Sequence, residues 1–425
     1  MKKWKKMISV LAAAALSGSI LAGCGSTNDS DKDKTDFKGD TLKIGVWGGN
    51  ESEEKSLEQL ITNFEKDTGA KVEKKVYTDY NTQIQADMVA KTAPDAFYVD
   101  SSMYPFFEEQ GVLAELDGDG YNSEDFYSPL TETFSTDNKM KAVPKDFSTL
   151  ALYLNTDMFK KAGVDINSVP ASYEDLAKWL PSFQEKLDQA YGKGKVFAMS
   201  YTPELSRSWH LAVRDGAEPI KADGQSNLAD SKVVSNLSIL TDLVHTKAVV
   251  TPQEVGTGWN GEAFGAGKIA MMDEGNWVYE TLKTEFKDIS FTVKEMPTYK
   301  GSKGSMMFAV GWGKYAATEN SALADKWIQY VTGKDGMKLW SEGTGTLPSR
   351  QDVGENSSIK DNTVLKIHLD ANEYATPWID GTTLMTIATA YANFLPKAMD
   401  ESESFEKALQ AADKQANADI KNGNN

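Results

Sequence analysis

Thr41-Leu42-Lys43-Ile44-Gly45-Val46-Trp47 alternates along its length with a period of two, and Gly48-Gly49 then breaks the run. Such a pattern is a strand ended by a turn. Asn50 followed three residues later by Glu53 has the form of a capping box, in which each residue's side chain takes the other's backbone N–H. Leu57, Leu60, Ile61 and Phe64 recur at helical spacing until Gly69 stops them. Lys71–Tyr77 then reads as a second strand. Strand, helix, strand in this order predicts an α/β fold with a mainly parallel sheet.

Toward the C-terminus the alternation continues. Asp79–Ala90 reads as a helix with Ile84 and Met88 inward, Asp95–Val99 as a short apolar strand, and Met103–Gln110 as a helix closed by Gly111. Beyond Pro144, Leu150–Leu154 is an apolar strand and Thr156 caps a helix through Lys161. Ser172 with Asp175 caps a helix carrying Leu176, Leu180 and Phe183. Val196–Ser200, Lys268–Met272, Ile289–Val293 and Met307–Trp312 are further strands. Between or after them come helices from Ser231, over Trp277–Lys283 and over Ala322–Val331. From about Ser358 the pattern is wholly helical, with Trp378–Ala398 and Ser402–Lys421 as the long pieces. No internal repeat of fixed period appears.

Toward the N-terminus the composition changes. Gly25–Asp40 is polar apart from Phe37 and buries too little to order itself, so it reads as a tether reaching roughly 20–25 Å. Before it, Lys2, Lys3, Lys5 and Lys6 precede an uncharged run from Met7 to Leu21. That run is too short and too rich in Ala, Ser and Gly for a good membrane-spanning helix. Leu21-Ala22-Gly23-Cys24 has the form of a lipobox, so residues 1–23 read as a lipoprotein signal peptide and Cys24 as the lipidated residue. Cys24 is the only cysteine of the 425 residues. Acylation accounts for the lone thiol and for a soluble body held to the outer face of the cytoplasmic membrane.

With 17 Phe, 16 Tyr and 10 Trp the chain can build sizeable cores, and without a second cysteine packing alone must hold them. The net charge of −17 argues against nucleic acid and against adhesion to anionic lipid. Its length fits two domains or one large split domain.

Several motifs occur in an order that resembles the extracellular solute-binding proteins (family 1) of bacterial carbohydrate ABC importers, the family of the maltose/maltodextrin-binding proteins. They are Phe64-Glu65-Lys66-Asp67-Thr68-Gly69 with Lys71-Val72, Ala93-Pro94-Asp95, and Gly111-Val112-Leu113-Ala114-Glu115-Leu116. Val143-Pro144-Lys145-Asp146-Phe147 comes next, with Ala151-Leu152-Tyr153-Leu154-Asn155. Then come Phe264-Gly265-Ala266-Gly267-Lys268-Ile269-Ala270-Met271, Gly275-Asn276-Trp277, Gly311-Trp312-Gly313 and Thr346-Leu347-Pro348-Ser349-Arg350. The resemblance implies a periplasmic-binding-protein-like fold of two α/β lobes, each a mainly parallel sheet flanked by helices, with the ligand cleft at the hinge. One lobe is expected at residues 41–147 plus 303–345, the other at 150–298 plus 350–425. It also implies capture of a sugar by hinge closure, delivery to ABC permease subunits, and no enzymatic step and no cofactor; a monomer is expected.

A pyranose offers apolar C–H faces and a rim of hydroxyls, so aromatic platforms and fixed polar groups at strand ends are the candidates. Trp47, Asn50 and Glu51 end the first strand and its turn, although Trp47 can be core, Asn50 a cap and Glu51 a solvated charge. Tyr80 starts the second helix; Asp100, with Ser102 two residues on, ends the third strand and can instead cap the next helix. Asp146 lies at the crossing. Arg207 and Trp209 fall in a loop after Val196–Ser200, Asn276 and Trp277 in the segment that the resemblance places beside the sugar, and Trp312 after Val310-Gly311. Trp378 begins a long helix. Trp179, Trp327 and Trp340 fit apolar helix faces. Maltodextrin-type members carry Glu where Ser148 stands, an aromatic where Val99 stands and an acid where Ser102 stands, which points to a different sugar.

Other signals are weaker. Gly256-Thr257-Gly258-Trp259-Asn260-Gly261 spells GxGxxG but leaves no clear strand. Asp117-Gly118-Asp119-Gly120-Tyr121-Asn122 begins like a calcium loop, yet Tyr121 occupies a ligand position, so a surface turn is expected. His210, His245 and His368 are scattered and no HExxH appears, so no metal site is expected. The alternatives left open are a polyamine- or other solute-binding lipoprotein, with Glu51, Asp100 and Asp146 as acids, and a secreted glycoside hydrolase built on paired carboxylates.

Overall fold

The computed structural model describes residues 36–116, 120–356 and 358–423. The expected signal peptide, Cys24, the expected tether as far as residue 35 and residues 117–119 lie outside the described residues; the last residues of that expected tether instead pack on the fold, Phe37 being 5% exposed and Gly39 donating its N–H to the Gly69 carbonyl. Thirteen strands run in chain order among them: β1 (Thr41–Trp47), β2 (Lys71–Tyr77), β3 (Ala96–Asp100), β4 (Ser135–Thr136), β5 (Lys139–Met140), β6 (Ala142–Asn155), β7 (Phe197–Ser200), β8 (Val249–Val250), β9 (Ile269–Gly275), β10 (Phe291–Lys294), β11 (Met306–Lys314), β12 (Leu347–Pro348) and β13 (Thr376–Pro377). The helices are α1 (Glu51–Thr68), α2 (Tyr80–Ala90), α3 (Tyr104–Glu109), α4 (Ser128–Thr133), α5 (Thr156–Ala162), α6 (Tyr173–Tyr191), α7 (Leu205–Ala212), α8 (Ser231–Val244), α9 (Asn260–Gly265), α10 (Val278–Thr284), α11 (Ser321–Thr332), α12 (Lys334–Thr344), α13 (Gln351–Asn356), α14 (Thr363–Asp370), α15 (Leu384–Met399) and α16 (Phe405–Lys421).

The main sheet is ordered β2-β1-β3-β11-β6-β9-β7-β8. Both ends are parallel, with β1 beside β2 and β3 and with β7 beside β8 and β9. The middle is antiparallel. There β6, 14 residues long and buried throughout, pairs through its first half with β11 and through its second half with β9 and β10. One strand thus spans both ends of the molecule, where the sequence pattern alone marks a strand only at Leu150–Leu154.

Two separate main cores flank this strand. Phe64, Phe97, Phe107, Trp312 and Trp327 belong to the first; Leu180, Phe183, Trp209, Leu237 and Tyr391 belong to the second. Each such side chain contributes about 1.5–3 kcal/mol by leaving water. Val353, Ile359 and Leu365 pack in the first core although they lie beyond Arg350.

The segments passing between the cores are stitched by buried polar groups. Asn276 accepts the Thr149 N–H at 3.2 Å and donates to the Gly345 carbonyl at 3.1 Å. Ser305 accepts the Leu150 N–H at 3.0 Å and donates to the Leu150 carbonyl at 2.8 Å. His368 donates Nδ1–H to the Thr149 carbonyl and accepts the Tyr153 hydroxyl at Nε2, both at 2.8 Å. Burial holds this imidazole neutral, with its pKa lowered to about 4.

Two expectations are corrected. Residues 378–383 are not helical: Thr376 and Trp378 donate backbone N–H groups to the Ser305 and Met307 carbonyls, extending the sheet past Pro377, and α15 starts only at Leu384. Strand pairing outweighs helical periodicity there. Arg207 and Trp209 are not in a loop but on α7, whose buried face is Leu205, Trp209 and Ala212.

Candidate functional site

A cavity of about 170 Å³ opens where the cores meet, walled by β1, α1, β3, β6, β11, α12 and the residue preceding α10. Its wall carries the rings of Trp47, Tyr98, Trp277, Phe308 and Trp340, the charged groups of Glu53, Glu54, Lys145 and Asp146, and the hydroxyls of Ser148 and Thr346.

Trp47 arrives at the end of β1, half-buried and propped by other rings. Tyr80 meets it edge-on at 5.1 Å and Tyr98 tilts against it at 4.8 Å. Tyr98 leans on Trp312 at 4.6 Å, and Trp312 on Trp327 at 5.5 Å. Tyr80 and Trp312, both candidates, therefore buttress the wall from inside the first core and do not form it. Tyr80 donates its hydroxyl to the Tyr98 carbonyl, and Trp312 is 1% exposed.

The capping box forms as its spacing predicts. Asn50 Oδ1 accepts the Glu53 N–H at 3.0 Å and Glu53 Oε2 accepts the Asn50 N–H at 3.1 Å. Asn50 is thus spent on the helix start. Folding back over the cap brings the Glu53 carboxylate against Gly49, where a Cβ would lie 2.4 Å from Oε2. Glu53 reaches the cavity, whereas Glu51 points into solvent and pairs with Lys55. Burial raises the Glu53 pKa, Lys145 opposes that rise, and Asp146 adds to it.

Lys145 and Asp146 are consecutive on β6, and consecutive strand residues normally face opposite ways. Here the register against β11 shifts: Asp146 opposes Val310 and Pro144 opposes Gly311, leaving Lys145 as the extra residue of a β-bulge. The bulge turns both side chains into one wall. Lys145 Nζ contacts Asp146 Oδ2, lies 3.8 Å from the Trp340 ring centroid and 4.8 Å from that of Tyr98. Trp340 donates Nε1–H to the same Asp146 oxygen at 2.6 Å. The three groups form one clamp, with side chains of Lys145 and Asp146 only 7% and 6% exposed.

Across the cavity stands Trp277, half-buried, just ahead of α10. Its ring lies over Gly275, where a Cβ would sit 2.2 Å from the indole, so only glycine admits this placement. Phe308 meets it edge-on at 5.7 Å and the Arg207 guanidinium lies 6.0 Å from its centroid. Arg207 donates to Glu274 Oε1 at 2.9 Å and to the Asp273 carbonyl at 3.2 Å, so it stands behind Trp277 and not on the wall. Beside it the Asp273 carboxyl is pushed up to about 7 by burial, against the pull of Arg207.

The remaining candidates are placed elsewhere. Trp209 and Trp378 pack edge-on at 5.5 Å within the second core. Asn276, fully buried, stitches the crossing segments. Asp100 accepts the Ser102 N–H at 2.9 Å and closes the turn after β3, its pKa raised by burial. Of the twelve candidates the cavity gathers Trp47, Asp146 and Trp277. The sequence reading missed Glu53, Tyr98, Lys145, Phe308 and Trp340; a proline inside a central strand, Pro144, was the available sign of a bulge.

Flat rings on opposing walls with fixed acceptors and one ammonium between them suit a ligand having apolar faces and a polar rim. Among the described residues no group of three His, Cys, Asp or Glu side chains is placed to hold a metal ion. No helix among them is long and apolar enough to cross a membrane.

Comparison with known proteins agrees in fold and family. The family model described as bacterial extracellular solute-binding protein matches residues 59–367. The maltodextrin-binding protein MdxE of Bacillus subtilis is 24% identical over 379 residues, 88% of this chain and 87% of that protein. The arabinooligosaccharide-binding protein of Halalkalibacterium halodurans is 22% identical over 296 residues, 65% and 63% of the two chains. Among solved structures, the ABC substrate-binding protein Lmo0181 of Listeria monocytogenes, in complex with cycloalternan, superposes with a TM-score of 0.78 at 19% identity. That match covers 90% of this chain and 99% of that one. The GacH receptor of Streptomyces glaucescens, solved unliganded and with acarbose, gives a TM-score of 0.74 at 23% identity, covering 88% and 97%.

Proposed function

Because the chain belongs to the bacterial extracellular solute-binding proteins, a family of transport receptors and not of enzymes, we propose that it captures a sugar, a di- or oligosaccharide, and delivers it unaltered to an ABC permease. The observation that carries this is the cavity between the two cores: Trp47 and Trp277 stand on different cores with Asp146, Ser148 and the Glu53 carboxylate between them. Relatives named for maltodextrin and arabinooligosaccharide support the ligand class. A ligand touching both walls favours a closed state over an open one, since only contacts that differ between the states shift their populations.

The lobes are taken as residues 41–147 plus 303–345 and 150–298 plus 350–425, except that Val353, Ile359 and Leu365 pack with the first, and the hinge is placed where β6 and β11 pass between the cores. Cys24 carries the acyl anchor, and the protein works as a monomer on the outer face of the membrane. Tryptophan fluorescence titrated with mono-, di- and oligosaccharides, spermidine and ferric citrate, with released sugar assayed in the same mixtures, tests this. A saturating shift with a sugar and no hydrolysis is the expected result. Saturation only with spermidine or iron, or sugar release proportional to protein, refutes it.

A further inference from the structure

The cavity's charges are not balanced, and Glu53 is its carboxylate without an ion-pair partner among the described residues. Glu54 is neutralised by Lys74 at 2.8 Å, and Lys74 also holds Glu58 at 2.6 Å. Asp146 is held by Lys145 and the Trp340 N–H. Lys145 is further committed to the faces of Trp340 and Tyr98. Arg207, behind the opposite wall, is bound to Glu274. Glu53 takes the Asn50 N–H of its own cap; Lys145 acts on it through space, but among the described residues no cation lies within ion-pair distance of it.

We infer that Glu53 is a specificity-determining residue that makes the cleft select uncharged sugars against acidic ones, an inference that rests on the sugar reading above. A neutral ring offers hydroxyl donors to the free side of this carboxylate. A uronic acid or sugar phosphate brings a second negative charge into a partly desolvated cavity where every nearby cation is already paired. The like-charge contact then costs affinity that the aromatic platforms do not restore, because stacking is indifferent to charge at the rim.

The test uses the mature protein and matched pairs of ligands: gluco- and xylo-oligosaccharides, and the same oligosaccharides with one terminal uronic acid. Affinities are measured by calorimetry for the wild type and for Glu53→Gln. Glutamine at this helix position still closes a capping box, so the variant keeps the fold, and its melting temperature checks this. The wild type is expected to bind the neutral partner at least about tenfold more tightly, the scale of one uncancelled charge contact in a half-wet site. Glu53→Gln is expected to shrink that ratio to within about threefold. If the wild type binds the uronate as tightly as the neutral sugar, or if Glu53→Gln weakens both in the same proportion, the inference fails while the sugar reading stands. If no neutral sugar binds at all, both fail. Even if the variant does not fold, a wild-type ratio near one overturns the inference.

Discussion

Removing one partner of the Lys145–Asp146–Trp340 clamp tests whether the bulge in β6 places a coupled unit or three independent neighbours. In Lys145→Met the Asp146 carboxylate, about 6% exposed, keeps only the Trp340 N–H. Breaking a buried ion pair from one side costs about 3–5 kcal/mol, because the remaining charge stays desolvated. Part of this is the lost cation–π contact at 3.8 Å, worth about 2 kcal/mol when dry. Asp146→Asn leaves the opposite orphan, an ammonium over two rings. The double variant Lys145→Met/Asp146→Asn removes both charges of the pair: methionine covers the indole, and the asparagine oxygen accepts the Trp340 N–H. The double change should therefore cost less than the sum of the single ones by at least about 2 kcal/mol. Scanning calorimetry of all four proteins measures this, with near-ultraviolet circular dichroism reporting the tryptophan surroundings. Single changes that each cost under about 0.5 kcal/mol, or a double change equal to their sum, would refute the clamp.

The opposite wall can be probed in two ways. The Asp273 carboxyl, raised from 3.8 to about 7, binds a proton in the folded chain that the unfolded chain has released. Its contribution is fully present below the unfolded value and is lost as pH rises through about 7, at most roughly 4 kcal/mol. Asp273→Asn should thus gain stability over the wild type at pH 8 and little at pH 4, by denaturant unfolding at both; an equal difference at the two pH values contradicts the assignment. Trp277→Ala should weaken sugar binding by more than about 1 kcal/mol with the melting temperature little changed. Gly275→Ala, which displaces the same ring, should do likewise; loss of stability with affinity intact would make Trp277 core.

The α/β character was legible because its signals are local. The alternation in Thr41–Trp47, the box from Asn50 to Glu53 and the stop at Gly69, which adopts φ +74°, are all decided within a turn or two of chain. The stretch from Trp378 was misread for the converse reason. Its extended start is set by β11, more than sixty residues earlier in the chain, and nothing local announces that pairing. The tryptophans show the same limit. Trp47, Trp277, Trp209 and Trp312 are alike as residue types, and only tertiary packing decides that the first two are half-buried while the last two are sealed.

Lys145 shows most directly why the polar half of the cavity escaped the sequence. A regular strand would place Lys145 and Asp146 on opposite faces, so alternation alone does not bring both to one wall. Pro144 changes that, because it has no N–H to give a ladder and sits within a central strand at an irregularity. The irregularity is the bulge opposite Val310 and Gly311, and there Lys145 swings onto the side of Asp146. Once the ammonium lies against Asp146, the carboxylate is neutralised, and Trp340, buried in the first core as its helix face suggests, also gives it an N–H. With Asp146 neutralised, the unpaired acceptor of the cavity becomes Glu53. The bulge thus sets Lys145 on Asp146 and leaves Glu53 without an ion-pair partner among the described residues.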